Sequence, residues 1–180
     1  SASPSRDIAT LGQIFTPATI VNLMLSLRQR QGSVLEPAAG DGAFASRLPG
    51  CLAIECDAKI AAPGMQVMDF FDLPTAQRFD TIIGNPPYVR FQDIAPGTAA
   101  KLDLEFFDLR TNLALFFIEK CLRHLAPGGE LIFIVPREFI KQTSARKLNE
   151  HLFALGTITH WIELGDAPIF SRATPNCAIF

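Results

Sequence analysis

The sequence predicts an α/β fold on a mostly parallel sheet, and three observations lead there. Short apolar runs alternate with amphipathic stretches along the chain, and strands that alternate with helices build a largely parallel sheet covered by helices. Glycine and proline punctuate the runs, most plainly at Gly40, Gly42 and Pro127-Gly128-Gly129. Finally, 180 residues, 48% hydrophobic and 19% charged, suit one domain around one core rather than a disordered chain.

The elements follow in order. Ser33-Val34-Leu35-Glu36 reads as the first strand, followed by a glycine turn and a helix from Gly42 to Leu48. Cys51 to Glu55 is the second strand, Gln66-Val67-Met68 the third, and Phe79 to Ile83 the fourth, which runs into Asn85. Thr111 to Leu125 carries Leu115, Ile118 and Leu122 at helical spacing and is stopped by the Pro-Gly-Gly turn. Glu130 to Val135 is a fifth strand, ended by Pro136. A helix is predicted through Phe139 to Leu155, then two more strands, Thr157 to Leu164 and Thr174 to Phe180. Val89 to Arg110 breaks this rhythm. A connection of that length is usually functional or disordered, and here it is placed to close over a bound macromolecular substrate and predicted to be mobile without it.

Composition narrows the function classes. The mean hydropathy of +0.23 is high, but no apolar run approaches the ~20 residues of a membrane span, so the excess is expected to cover a partner or a further domain. Ser1-Ala2-Ser3-Pro4 has no basic-then-apolar signal pattern, and residues 1–10 read as a frayed lead-in. Phe180 falls inside a strand-like run, so the polypeptide is expected to continue past it. A net charge of −2 argues mildly against a domain that grips a long nucleic-acid tract alone. Cys51, Cys56, Cys121 and Cys177 form no C-x-x-C pair, and with three histidines no metal-ligand spacing arises. Buried thiols in a reducing, cytoplasmic compartment are expected.

The first strand ends in Glu36-Pro37-Ala38-Ala39-Gly40-Asp41-Gly42-Ala43-Phe44. In a doubly wound sheet the turn after strand one holds a nucleotide-like cofactor. A dinucleotide site would need a third glycine and bare N–H groups facing a pyrophosphate. Here Asp41 would repel phosphate and suits an ammonium group instead. S-adenosylmethionine carries an ammonium and a sulfonium and no phosphate. Glu55, ending strand two, stands where an acid commonly takes ribose hydroxyls. Asp69-Phe70, ending strand three, pairs a carboxylate for an adenine amino group with an aromatic face. Each feature alone has a plainer explanation, a turn, a cap or a core aromatic. Their conjunction at adjacent strand ends points to this cofactor.

Strand four delivers Asn85-Pro86-Pro87-Tyr88. An exocyclic amino group is a poor nucleophile because its lone pair is delocalised into the ring. The Asn85 side-chain carbonyl and the Pro86 backbone carbonyl can both accept from such an amine, favour a tetrahedral nitrogen and localise the pair. The prolines stiffen the turn, and Tyr88 can stack on the substrate ring, worth about 1–3 kcal/mol per base.

These residues resemble the gamma class of DNA adenine-N6 methyltransferases of restriction–modification systems, and the likeness spans nearly the whole chain. Gly12-Gln13-Ile14-Phe15-Thr16-Pro17 matches the leading motif of that class, which implies that Phe15 and Thr16 close over the methionine end of S-adenosylmethionine. Glu36, Pro37, Ala38, Gly40, Asp41 and Phe44 match the Gly-rich cofactor motif, Glu55 the ribose acid, and Asp69 and Phe70 the adenine contact. Asn85, Pro86, Pro87 and Tyr88 match the catalytic motif. Asn112 to Glu119 and Gly128 to Pro136 match the helix and strand that follow. Ile169-Phe170-Ser171-Arg172 looks like a late motif whose aromatic, Phe170, stacks on the flipped base. The resemblance implies a Rossmann-like class I methyltransferase domain over 1–180, with seven strands of which the last is antiparallel. It also implies DNA as partner, a target-recognition domain beyond residue 180, a restriction endonuclease as partner or fused domain, and a bacterial, phage or plasmid origin.

Other readings stay open. Protein glutamine methylation also uses Asn-Pro-Pro-Tyr, but the Glu36 to Gly42 turn and the leading Gln13 to Pro17 segment favour DNA over it and over ribosomal RNA. Cytosine-N4 enzymes more often place serine first, so Asn85 favours adenine. A cofactor-holding specificity scaffold without turnover is the remaining alternative. Arg137, Lys141, Arg146 and Lys147 read as a solvated face with phosphate contact as the rival. His124 is explained by a helix C-terminus, and Trp161 by the core.

Overall fold

Alternation along the central strands sets the layers. The computed structural model describes residues 16–105, 107, 111–136, 146, 150, 162–163 and 177–179. In β1 (Val34–Glu36), β4 (Phe79–Gly84) and β5 (Leu125–Pro136), successive side chains point to opposite faces. Leu35, Ile82 and Phe133 accordingly enter one core, while Val34, Ile83, Ile132 and Ile134 enter the other. The central strands are apolar on both faces because both faces are covered.

With β2 (Leu52–Glu55), β3 (Gln66–Val67), β6 (Ile162–Glu163) and β7 (Cys177–Ile179), the described residues form a sheet of seven strands in the order β3-β2-β1-β4-β5-β7-β6. The first five pair in parallel, and β7 runs antiparallel to both β5 and β6. This is the predicted α/β architecture, antiparallel last strand included. The order reverses between β1 and β4, and the crevice at the carboxyl ends of those two strands is where such sheets take ligands.

Helix α1 (Ala18–Ser26) covers one face through Ile20, Val21 and Met24. Helix α3 (Leu113–Arg123) covers the other and is buried from Leu113 through Cys121. Its cap is Asn112, whose side chain accepts from the Ala114 N–H at 3.0 Å and the Val89 N–H at 3.2 Å. One side chain thus starts the helix and tethers the end of the segment leaving β4.

Three expectations are corrected. The helix predicted from Gly42 to Leu48 is only a 3-10 turn, Ala45–Arg47. Gly42 sits at φ +80, a left-handed conformation that cannot begin a right-handed helix, and Pro49 follows too soon for α-helical turns to accumulate. Helix α3 ends at Arg123, before the Pro-Gly-Gly turn, and Leu125 already pairs with Phe79. The next paired residues are Thr81 and Glu130, so Pro127-Gly128-Gly129 forms a bulge inside β5. Third, His124 is not a cation at a helix terminus. It is fully buried, Nδ1 lies 2.8 Å from the Gln77 carbonyl, and burial lowers its pKa to about 4. The neutral ring therefore donates from Nδ1 to Gln77 and accepts at Nε2 from Lys120 Nζ at 2.7 Å.

The helix expected over 139–155 and Trp161 lie almost wholly outside the described residues. Of the basic stretch, Arg146 is described, strongly exposed and paired with Glu150 at 3.5 Å, in keeping with a solvated face. Cys51, Cys56 and Cys121 are free thiols, but against the expectation only Cys121 is buried: Cys51 is half-buried, and Cys56, just past the end of β2, is exposed. No described helix is long and apolar enough to cross a membrane.

At the opposite end of the sheet, Glu130 accepts from the backbone N–H groups of Gln29 and Arg30 at 2.9–3.0 Å and from the Thr81 hydroxyl at 2.9 Å. It ties the α1–β1 turn to the central strands. Glu130→Ala is expected to cost about 1–3 kcal/mol of stability by leaving these donors without their acceptor, read as a lower denaturant midpoint with an unchanged slope.

Candidate active site at the β1–β4 crevice

Two buried carboxylates shape the turn after β1. Glu55, 1% exposed, accepts from the Gly40 N–H at 2.8 Å and the Asp57 N–H at 3.0 Å. Glu36, 2% exposed, accepts from the Ala45 N–H at 2.8 Å. Gly40 (φ +56) and Gly42 (φ +80) supply the left-handed residues that bend the chain between them. The turn is thus built around acids, with no bare N–H cluster for phosphate.

Glu36 carries the strongest electrostatic signal in the site. Burial raises its pKa to about 8, and the negative charges of Asp41 and Glu55 push the same way. No cationic side chain of the described residues offsets it. A desolvated acid that lines an open cleft and is held part-protonated fits a ligand bringing its own positive charge. That cleft is lined by Thr16, Glu36, Ala38 to Asp41, Ala43, Phe44, Asn85 and Pro87. Asp41 is exposed and accepts from the Ala43 N–H at 3.2 Å. It stands at a turn, not at a helix start as expected, but on the wall expected.

Ala38 and Pro87 also line a second cavity of about 370 Å³, which continues along the ends of β2 and β3. Pro37, Glu55, Asp69 and Phe70 contribute to its lining. Glu55 Oε2 accepts from the Gly40 N–H, and Oε1 from the Asp57 N–H with the Cys56 thiol at 3.6 Å. Phe70 is 1% exposed and packs against Phe117 at 5.0 Å between ring centroids, so it is a core aromatic that also forms a cavity wall. Lys120 Nζ, 4.8 Å from the same ring centroid, donates to the Leu73 carbonyl and steadies that wall from behind.

The connection after Tyr88, expected to close over a substrate, also roofs this cavity, which the sequence did not foresee. The segment after Tyr88 folds back over the Asp69 end of this cavity, where Ile94, Ala95 and Thr98 line it. Its anchors are Val89, Ile94, Leu102 and Phe107 in the core, helix α2 (Pro96–Ala99), and two polar links. Thr98 Oγ1 donates to Asp69 at 2.7 Å, and Lys101 bridges Asp69 at 3.4 Å and Asp72 at 2.8 Å. The available signal was the apolar residues scattered through that connection. Nothing local told which cavity they would cover.

Asn85 leaves β4 at the junction of the two cavities, lining the acid-walled one with Pro87. Its side-chain amide lies 3.4 Å from Thr16 Oγ1. The Tyr88 hydroxyl contacts the Asn85 amide and, at 2.9 Å, the Ile134 carbonyl on β5. Pro86 is buried and Tyr88 half-buried. The structure therefore brings together Thr16, Glu36, Pro37, Ala38, Gly40, Asp41, Phe44, Glu55, Asp69, Phe70 and Asn85 to Tyr88. Phe15 and Phe170 lie outside the described residues.

Comparison with known proteins decides the family. Residues 55–170 match the Eco57I restriction-modification methylase profile. The chain belongs to that family. Among relatives of the Eco57I-type chain, the Type II methyltransferase M.HincII of Haemophilus influenzae is 31% identical over 184 residues, 95% of this chain and 37% of the relative. The chain thus spans little more than a third of that relative's length. A Listeria monocytogenes protein described as a class I S-adenosylmethionine-dependent methyltransferase superposes with a TM-score of 0.71 at 20% identity, over 93% of this chain and 59% of the other. The protein in a DrdV–DNA complex gives 0.72 at 13% identity, over 99% and 27%. At these identities the likeness is one of fold, and the fold is that of class I methyltransferases.

Proposed function

We propose that this domain transfers a methyl group from S-adenosylmethionine to the N6 amino group of an adenine turned out of DNA. The observation that carries the reading is the position of Asn85-Pro86-Pro87-Tyr88 at the end of β4, with the Asn85 amide lining a cleft whose other wall is the buried acid Glu36.

The residues fit the cofactor. Glu36 and Asp41 would take its ammonium end, and Thr16, with Phe15 of the leading motif, would close over it. Glu55 accepts from the ribose, and Asp69 and Phe70 take the adenine, with Phe44, Pro37, Ala38, Gly40 and Pro87 shaping the channel. The cofactor supplies an electrophilic methyl group on a sulfonium, which leaves as a neutral thioether. The protein's part is at the nitrogen. Asn85 and the Pro86 carbonyl accept its two hydrogens and draw the lone pair out of conjugation. Tyr88, with Phe170 as a second platform, stacks on the extruded ring and offsets part of the few kcal/mol of unstacking. One amino proton then passes to solvent, because the methylated nitrogen is acidic, and no strongly shifted base is needed.

Asn at the first position favours adenine over cytosine N4. The near-neutral charge, −2, favours a duplex grip supplied by a recognition domain beyond residue 180 or by another subunit, with a restriction endonuclease as partner or fused domain. A bacterial cytoplasm, or a phage or plasmid gene expressed there, is the setting this implies. Incubating the full-length protein with methyl-labelled cofactor and mixed DNA is expected to label the DNA. Label on a glutamine-containing release-factor-like protein, with none on DNA, would replace this reading by protein methylation, and cofactor binding without any label by a scaffold.

A further inference from the structure

The side chains of the roofed cavity present acceptors to whatever enters it. Among its lining residues Glu55, Asp69 and Asp93 are acids, and none is a lysine, arginine or histidine. The two side-chain donors in that lining are already spent on acids. The Cys56 thiol lies 3.6 Å from Glu55 Oε1, and the Thr98 hydroxyl donates to Asp69 Oδ2 at 2.7 Å. A hydroxyl has one proton and two lone pairs. With its proton on Asp69, Thr98 offers the cavity an acceptor only. That commitment is firm because a 2.7 Å bond from a hydroxyl to a carboxylate is of the strong, charge-assisted kind, and because Asp69 is held at both ends. Its Oδ1 accepts from the Phe71 N–H at 2.9 Å, and its Oδ2 also faces the Lys101 ammonium at 3.4 Å. Lys101 is in turn fixed by Asp72 at 2.8 Å.

Resting on the proposed placement of the cofactor's adenine against Asp69 and Phe70, we infer that Thr98 is a specificity-determining residue for the purine. Asp69 holds the Thr98 proton, so the pair offers acceptors to a 6-amino group and rejects a 6-oxo purine. An amino group has two hydrogens to give. A 6-oxo group brings its own lone pairs against a carboxylate and against a hydroxyl that cannot reverse without breaking its bond to Asp69. Among apolar neighbours such as Phe70, Leu113 and Phe117, acceptors left facing an oxygen have no water to turn to, and a site built to hydrogen-bond one group discriminates steeply against its absence. Thr98 belongs to helix α2 in the connection after Tyr88, not to a strand end. The roof therefore supplies part of the recognition as well as the cover.

The test is calorimetric binding of S-adenosylhomocysteine and S-inosylhomocysteine to the full-length protein, with no DNA and no turnover. The two compounds differ only in the purine, where a 6-oxo group and an N1–H replace the 6-amino group. The wild-type protein is expected to bind the inosyl compound more weakly by a factor on the order of 10² or more. In Thr98→Val the adenosyl Kd should rise by about tenfold, the worth of one hydrogen bond, while the inosyl Kd stays level or falls. The ratio of the two then shrinks by about tenfold, and Thr98→Ser should restore it. In Asp69→Ala the hydroxyl is free to turn and donate, so adding Thr98→Val there should leave the ratio unchanged. Equal losses for both compounds in Thr98→Val would make Thr98 a tie that only holds the roof, and would overturn the inference. Failure of serine to rescue does the same, as does an equal change of ratio with and without Asp69. A wild-type protein that binds both compounds alike removes the adenine from Asp69 and this inference with it. Absent DNA methylation with the expected ratios sinks only the proposed methyl transfer.

Discussion

Asn85→Ala is expected to lower the methyl-transfer rate by about 10²–10³-fold, the usual cost of removing one preorganised polar group that acts at the transition state. The amine in the ground state is planar and gains little from an out-of-plane acceptor. The benefit arises as nitrogen becomes tetrahedral, so the loss falls on kcat and leaves cofactor Kd nearly unchanged. Asn85 is only half-buried, and the Tyr88 hydroxyl keeps the Ile134 carbonyl as an acceptor, so the variant should fold. A pre-steady-state measurement with labelled cofactor separates the chemical step from binding. If the variant kept its rate and lost only cofactor affinity, Asn85 would be a cleft wall and not part of the chemistry.

The second large effect is a pH dependence of cofactor binding. Burial raises the Glu36 pKa to about 8, and Asp41 and Glu55 push it further the same way. The folded state therefore prefers the protonated acid. The stability this lends is present below the ordinary carboxylate pKa near 4.5 and is lost as pH rises through about 8, with about 5 kcal/mol at most at stake. A cationic ligand works in the opposite sense. Binding its ammonium favours ionised Glu36, so binding releases a proton and tightens as pH rises. Between roughly pH 6 and 7.5 the Kd should fall by up to about tenfold per pH unit, and the calorimetric heat should depend on the buffer's ionisation enthalpy. Glu36→Gln keeps an acceptor for the Ala45 N–H but cannot ionise, so it should bind weakly and show no slope. A cofactor Kd flat across that range in the wild-type protein would remove Glu36 as the counter-ion.

Much of the site was legible in the sequence because strand ends mark it. Glu36, Glu55, Asp69 and Asn85 each close an apolar run, and in a parallel sheet those ends converge on one edge whatever the loops do. The antiparallel last strand was implied by the family resemblance rather than by the run pattern, and the pairing order was not foreseen from either. What escaped depended on partners distant in sequence. Nothing beside His124 announces that its ring meets the Gln77 carbonyl, 47 residues upstream, and so titrates as a buried neutral group. Thr98 and Lys101 pair with an acid 29 and 32 residues away, so the roof over the Asp69 end could not be read from its own residues. The short helix after Gly42 failed for a local reason, because the left-handed glycine that makes the cofactor turn also forbids the helix.

The most direct test of the account is the identity of the methylated nucleoside. DNA treated with the full-length protein and S-adenosylmethionine, digested to nucleosides and separated by chromatography with mass detection, should yield N6-methyladenosine in deoxy form, absent when Asn85→Ala replaces the wild-type protein. N4-methylcytosine instead, or no methylated nucleoside while cofactor binds normally, would contradict the assignment of Asn85-Pro86-Pro87-Tyr88 as an adenine-N6 transfer site.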